Sequence, residues 1–443
     1  MQTTASKKVI NGWAMYDWAN SVYNLVITTT FFPIYFAAIT AKEYGANSVP
    51  FLGREYVNTS LYDYSLSVAY LIIALMFPIL TSIADTRGNK KQFMRFFCYL
   101  GAIGCSALYF FKLEWVPLGF GVFFFMLAAI GWAGSLVFYN SYLPEIAAPQ
   151  DMDRISARGF SYGYVGSVLC QLIGFALILM MPGKEGYASQ LTFLLVGIWW
   201  FGFAQITFKR LPASKPSNEK HDKSVLTEGF REIKKVYKQV TTMPVLKRFL
   251  RGFFFYSMGV QTVMLAATLF GAKLLQLDQT KLILTAVIIQ LVAILGAWGM
   301  ARLSARVGNI QVLMGVVLFW ILICIGAYFT AEVKENGGDP EYLFYGLAVA
   351  VGLVMGGIQS LSRSTYSKLM PETKDTASFF SYYDFTEKIA IVVGMFSFGI
   401  IEELTKHHGG MKNSVLSLIV FFFLGFIWLI SALVKQKKLK AIQ

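Results

Sequence analysis

Twelve apolar runs of about 20 residues, divided by short polar or charged breaks, commit this chain to a lipid bilayer. A helix needs roughly 20 apolar residues to cross the hydrocarbon core. The runs lie near 13–39, 62–84, 92–111, 117–143, 158–181, 190–208, 250–272, 282–302, 311–330, 342–364, 378–401 and 414–434. Composition agrees: 56% of the 443 residues are apolar, 14% are charged and mean hydropathy is +0.55, too apolar for a soluble chain that needs a polar surface. The expected fold class is an all-α integral membrane protein with twelve transmembrane helices.

Basic residues set the expected orientation, because loops rich in Lys and Arg stay on the cytoplasmic side. With both termini inside, cytoplasmic segments hold 29 of the 39 Lys and Arg, outer loops hold nine, and Lys388 lies within a span. The formal charge of +14 is then a matter of topology and of attraction to anionic lipid. It makes no case for nucleic acid. Cys98, Cys105, Cys170 and Cys324 all fall inside spans, so no disulfide framework is implied. The first apolar run is too long for a signal peptide and lacks a small-residue cleavage site. A bacterial inner-membrane protein, multi-pass and monomeric, is expected.

The chain also repeats itself. Gly12, Tyr16 and Thr28 match Gly252, Tyr256 and Thr268 at an offset of 240. Gly88-Asn89 matches Gly308-Asn309 and Phe160-Ser161-Tyr162 matches Phe380-Ser381-Tyr382, both at 220, while Pro144-Glu145 matches Pro371-Glu372. The change of offset is what the long first outer loop, 41–61, would produce. Two pseudo-symmetric six-helix bundles follow, at 1–208 and 250–443. They are joined by a cytoplasmic basic linker, 209–249, in which Thr227 to Gln239 can form an amphipathic helix resting on anionic headgroups.

The break after the second run reads Asp85-Thr86-Arg87-Gly88-Asn89-Lys90-Lys91. It resembles the signature loop of the major facilitator superfamily, with Thr86 where that family usually has Arg. An Asp at a helix end can accept hydrogen bonds from a neighbouring helix N-terminus or pair with Arg, and Gly permits a tight turn. The second-half copy, around Arg306 and Gly308, keeps an Arg but lacks the Asp. A gating latch of Asp85, Arg87, Gly88, Arg306 and Gly308 is expected to be asymmetric, with Asp85 its more important member.

An Asp inside an apolar span costs roughly 2.5–3.5 kcal/mol on insertion scales, so Asp17 is expected to face protein or water. Asp17, Asn20, Asn24 and Thr28 recur at helical spacing and form one polar stripe opposite Leu25 and Val26. The stretch Tyr16-Asp17-Trp18-Ala19-Asn20-Ser21 is similar to the hallmark of the vacuolar amino-acid effluxer-like branch of the facilitators. Tyr139 to Glu145, Gly357 to Ser364 and Tyr383 to Lys388 carry the likeness through the rest of the chain. The resemblance implies amino-acid efflux, as attributed to fungal members. It also implies that spans one, four, seven and ten line a central path, with Asn20, Asn24, Trp132, Ser135, Tyr139, Asn140, Tyr256, Gln261, Gln359 and Arg363 as substrate-cavity candidates.

Span eleven carries Asp384, Glu387 and Lys388. Asp384 and Lys388, four apart, can pair along one helix face, which leaves Glu387 to Lys388's flexible ammonium or to a group across the bundle. These three and Asp17 are the intramembrane charges available for proton coupling or for structural pairing. Arg158 and Arg363 stand near cytoplasmic ends, where topology alone would place an Arg. Gln171 and Gln290 lie mid-span, where interhelical hydrogen bonds are expected. The only histidines, His221, His407 and His408, form no metal spacing with any Cys. No glycine-rich segment carries the Lys-Ser or Lys-Thr of a phosphate loop. The sequence therefore points away from enzymes, metals and cofactors, and toward a secondary transporter of a small solute, amino acid or related metabolite, exported against protons. A lipid or amphipathic-molecule mover and a non-transporting scaffold or sensor are the alternatives.

Overall fold

Most of the apolar runs become helices longer than themselves, because the polar residues at their ends continue the same hydrogen-bonded backbone. The computed structural model describes residues 3–45, 48–213, 225–277, 279–405 and 409–441. Its long helices are α1 (Lys7–Tyr44), α2 (Asn58–Arg87), α3 (Lys90–Ala107), α4 (Leu118–Ser141), α5 (Met152–Met180), α6 (Glu185–Arg210), α7 (Pro244–Leu269), α8 (Gln279–Val307), α9 (Asn309–Glu335), α10 (Glu341–Leu369), α11 (Thr376–Leu404) and α12 (Met411–Lys440). Among the described residues, ten of these positions are long and apolar enough to cross a membrane on length and composition alone. The other two, α7 and α11, hold the first and fifth places of the second half. A short hairpin, Val49–Phe51 with Arg54–Tyr56, occupies the first odd loop.

Packing repeats under a shift of six helices. α1 packs on α5 and α6, α2 on α4, and α3 on α4 and α6; correspondingly α7 packs on α11 and α12, α8 on α10, and α9 on α10 and α12. The halves meet where α5 lies on α8 and α10, and where α11 lies on α2 and α4. Small residues let helices close: a Cβ on Gly131 would overlap the backbone of Gly101 on α3, and one on Gly356 would overlap the Ala293 carbonyl on α8. Gln290 Nε2 donates to Gln171 Oε1 at 2.7 Å across the α5–α8 seam, the interhelical bond expected of that pair.

Two expectations shift. The linker is shorter than 209–249, since α6 runs to Arg210 and α7 begins at Pro244. Its helix, Val225–Thr242, packs on α2 and α11 instead of lying free on headgroups. Val236 and Val240, one turn apart, are buried there, and Lys235 pairs with Asp375 at 3.4 Å. The second shift is in α1, which is π-helical over Tyr23–Phe31. The wider π turn rotates the face, so after Asn24 the cleft side passes to Leu25 and Thr29, while Thr28 turns inward with its hydroxyl unpartnered.

Candidate functional site

A cleft opens between the halves, lined from α1, α2, α4, α5, α7, α10 and α11. At its wall Arg363, on α10, reaches wholly into the opposite half. Its Nη1 and Nη2 each lie 3.3 Å from Asp17 Oδ2, and its Nε donates to Ser156 Oγ at 3.0 Å. Nη2 also donates to the Ser156 carbonyl at 2.9 Å and Nη1 to Asn140 Oδ1 at 3.3 Å. The guanidinium stands over the rings of Phe160 and Trp13, at 4.2 and 4.8 Å. Asp17 takes a further hydrogen bond from Tyr139 OH at 2.7 Å, and both members of the pair are buried. Gly159 makes the approach possible, because a Cβ there would overlap the Asp17 carboxylate.

The second charged group is on α11. Lys388 pairs with its neighbour Glu387 at 3.0 Å and lies over the rings of Trp132 and Tyr70, at 5.2 and 5.3 Å. This replaces the expected Asp384–Lys388 pairing: turning toward the aromatic faces of the other half brings the ammonium to Glu387. Glu387 also lies 3.4 Å from Gln261 Nε2. Asp384 is left with Asn140 Nδ2 at 3.4 Å on one oxygen, and its buried Oδ2 has no partner.

Of the ten cavity candidates, Asn20, Asn24, Trp132, Asn140, Tyr256, Gln261, Gln359 and Arg363 line the cleft. Ser135 and Tyr139 do not. Ser135 is buried on α4 and donates to the Trp132 carbonyl, while Tyr139 sits behind Asp17, stacked on Trp13 at 4.5 Å. Lining residues outside that set include Tyr70, Phe160, Tyr164 and Tyr383, from α2, α5 and α11. Their signal was an aromatic residue within a span next to polar neighbours, and confining the search to spans one, four, seven and ten hid it. Arg158 is exposed on α5. His221, His407 and His408 lie outside the described residues.

Latches between the halves gather at the end that carries the even-numbered loops. Asp85 Oδ2 accepts from Ser378 N and Ser378 Oγ, both at 2.8 Å, and Oδ1 from Ala377 N at 3.2 Å, so it caps the N-terminus of α11. Lys90 braces it at 3.1 Å and also reaches Glu145 and Thr376. A second latch has its acid on the other partner: Asp153 of α5 accepts from Ser304 at 2.8 Å, Asn309 at 2.7 Å and Lys368 at 2.6 Å. Gly88 and Gly308 both have positive φ, 65° and 101°, which explains why the repeat keeps glycine there. Arg87 and Arg306 are exposed, and the contacts across the seam are made by Asp85, Lys90 and Asp153.

This architecture is widely shared. The chain aligns over 96% of its length with a bacterial homologue of the iron transporter ferroportin solved in an outward-facing state, covering 98% of that chain at a TM-score of 0.65 and 12% identity. It aligns over 95% with the E. coli fucose:proton symporter FucP, covering 97% of it at 0.64 and 14%. The family model described as vacuole effluxer Atg22 like matches residues 5–442. The chain belongs to that family. Among relatives, an uncharacterized MFS-type transporter, YxiO of Bacillus subtilis, is 31% identical over 430 residues, 94% of this chain and 93% of the relative. Autophagy-related protein 22 of Kluyveromyces lactis is 25% identical over 454 residues, 91% and 89% of the two chains. The chain is thus a multi-pass membrane protein of the major facilitator type and a secondary transporter.

Proposed function

We propose that the protein carries a small zwitterionic solute, an amino acid or close relative, out across a bacterial inner membrane in exchange for protons, by alternating access of the cleft. The observation that carries this reading is Asp384: its Oδ2 is buried without a partner, while Asp17 and Glu387 are each paired with a cation. A zwitterion supplies the missing complement. Its ammonium suits Asp384, and its carboxylate competes with Asp17 or Glu387 for Arg363 or Lys388. The same carboxyl can take a proton without breaking an ion pair, which fits it for coupling better than Asp17 or Glu387. Export follows the effluxer character of the family, and orientation follows the basic even loops.

In proteoliposomes, wild-type protein is expected to accumulate amino acids against their gradient when a pH gradient is imposed. Asp384→Asn is expected to abolish accumulation and to weaken solute exchange, since it removes both the proton carrier and the partner of the ammonium. Accumulation unchanged in Asp384→Asn would remove this carboxyl from coupling, and absence of any amino-acid flux would favour a scaffold.

A further inference from the structure

The two seams between the halves are finished differently at the even-loop end. Where α11 lies on α2, the linker helix Val225–Thr242 packs on both. Where α5 lies on α8, the contact closes on three alanines, Ala157 of α5 with Ala297 and Ala301 of α8, and arginines follow two of them: Arg158 and Arg302. α5 begins at this end and α8 finishes there, so the two helices run antiparallel. Each helical residue turns about 100° from the one before it, and in an antiparallel pair the residues that follow the contact turn to the same flank. The opposite flank holds Ser156, which bonds Arg363 in the interior. Arg158 and Arg302 therefore face outward on one flank, one from each half, and both are exposed.

That flank suits the bilayer. Beyond Arg158, α5 exposes Val165, Leu169 and Leu172, and beside them α8 exposes Leu291, Leu295 and Trp298. Each apolar stripe ends in a guanidinium held over a ring, Arg302 over Trp298 at 3.5 Å and Arg158 over Tyr162 at 5.9 Å. Both arginines stand within about two turns of their helix ends, near the depth of the headgroups. Among the described residues neither pairs with a carboxylate, whereas Arg154, one turn before Arg158, is taken by Asp151 at 2.8 Å. Arg306, one turn beyond Arg302, is exposed and adds to the positive field. Loop topology explains basic residues at this end. It does not explain two cations of opposite halves stacked on rings at the head of one apolar surface. Stacking occupies the face of each guanidinium and leaves its N–H edge for an anion.

We propose that this flank binds an anionic glycerophospholipid of the even-loop leaflet, with its phosphate between Arg158 and Arg302 and its acyl chains along the two stripes. The lipid then ties one half to the other at the latched end.

The test is native mass spectrometry of the full-length protein released from nanodiscs of equal phosphatidylglycerol and phosphatidylcholine with matched chains. One phosphatidylglycerol is expected to survive activation that strips the remaining lipid, enriched about 30-fold over phosphatidylcholine. Arg158→Gln and Arg302→Gln are each expected to cut that enrichment about fivefold, while Lys209→Gln, which removes an exposed charge from the end of α6, leaves it intact. Equal retention of the two lipids by the wild type overturns the proposal and needs no variant to fold. Enrichment that survives in both arginine variants overturns it as well. Enrichment lost in only one of them shows a site on one half and overturns the shared phosphate. If inorganic phosphate displaces the retained phosphatidylglycerol, the site takes a free anion and the lipid assignment fails.

Discussion

At the scale of single residues, the molecule depends on a buried arginine held by groups of the other half. Asp17 and Arg363 are 346 positions apart, and each is intelligible only through the other. Removing one charge from such a pair leaves its partner buried and uncompensated, at a cost of about 3–5 kcal/mol, whereas removing both is much cheaper. Arg363→Gln is therefore expected to lower the thermal unfolding midpoint in nanodiscs substantially, and Asp17→Asn with Arg363→Gln to recover much of the loss. Additive losses would mean that the two side chains are not coupled. Both residues were legible in the sequence as charges needing explanation, but their pairing was not. Helical periodicity relates a residue to neighbours three or four positions away and says nothing of a contact between α1 and α10. The same limit applies to Lys388, whose turn toward Trp132 and Tyr70 of the other half decided its partner.

At the scale of elements, the decisive parts are helix ends. Asp85 satisfies two backbone N–H groups at the start of α11 that have no acceptor within the helix. Replacing it by alanine leaves those donors and Lys90 without that acceptor and loosens the even-loop end. Spin labels at Arg87→Cys and Glu372→Cys, exposed positions in opposite halves, are expected to report a larger population of long distances in Asp85→Ala. An unchanged distribution would show that the Asp153 latch alone holds that end. Asp85 and the two glycines could be read from the sequence because they sit in a repeated loop. Asp153 escaped notice because the repeat conserves the seam and not the side of it on which the acid lies. The polar stripe of α1 was legible as far as Asn24. Beyond it the π-helical turn, which has no periodic signature, exchanged Thr28 for Leu25 and Thr29.

At the scale of the whole molecule, twelve helices and their duplication followed from apolar run length and from matched residues at fixed offsets. What the duplication hid is where the halves differ. Pattern matching finds equal residues, whereas Asp384 stands 220 positions after Tyr164 and Asp17 stands 240 before Ser257. The state seen here has its inter-half latches at the even-loop end. If the cleft serves alternating access, that end must part as the other closes. The most direct measurement places two spin-label pairs in otherwise native protein in proteoliposomes, Arg87→Cys with Glu372→Cys at one end and Leu52→Cys with Tyr342→Cys at the other. On addition of a transported solute and a pH gradient, the first distance is expected to lengthen as the second shortens. Two distances that stay fixed, or that lengthen and shorten together, would contradict carriage by this cleft.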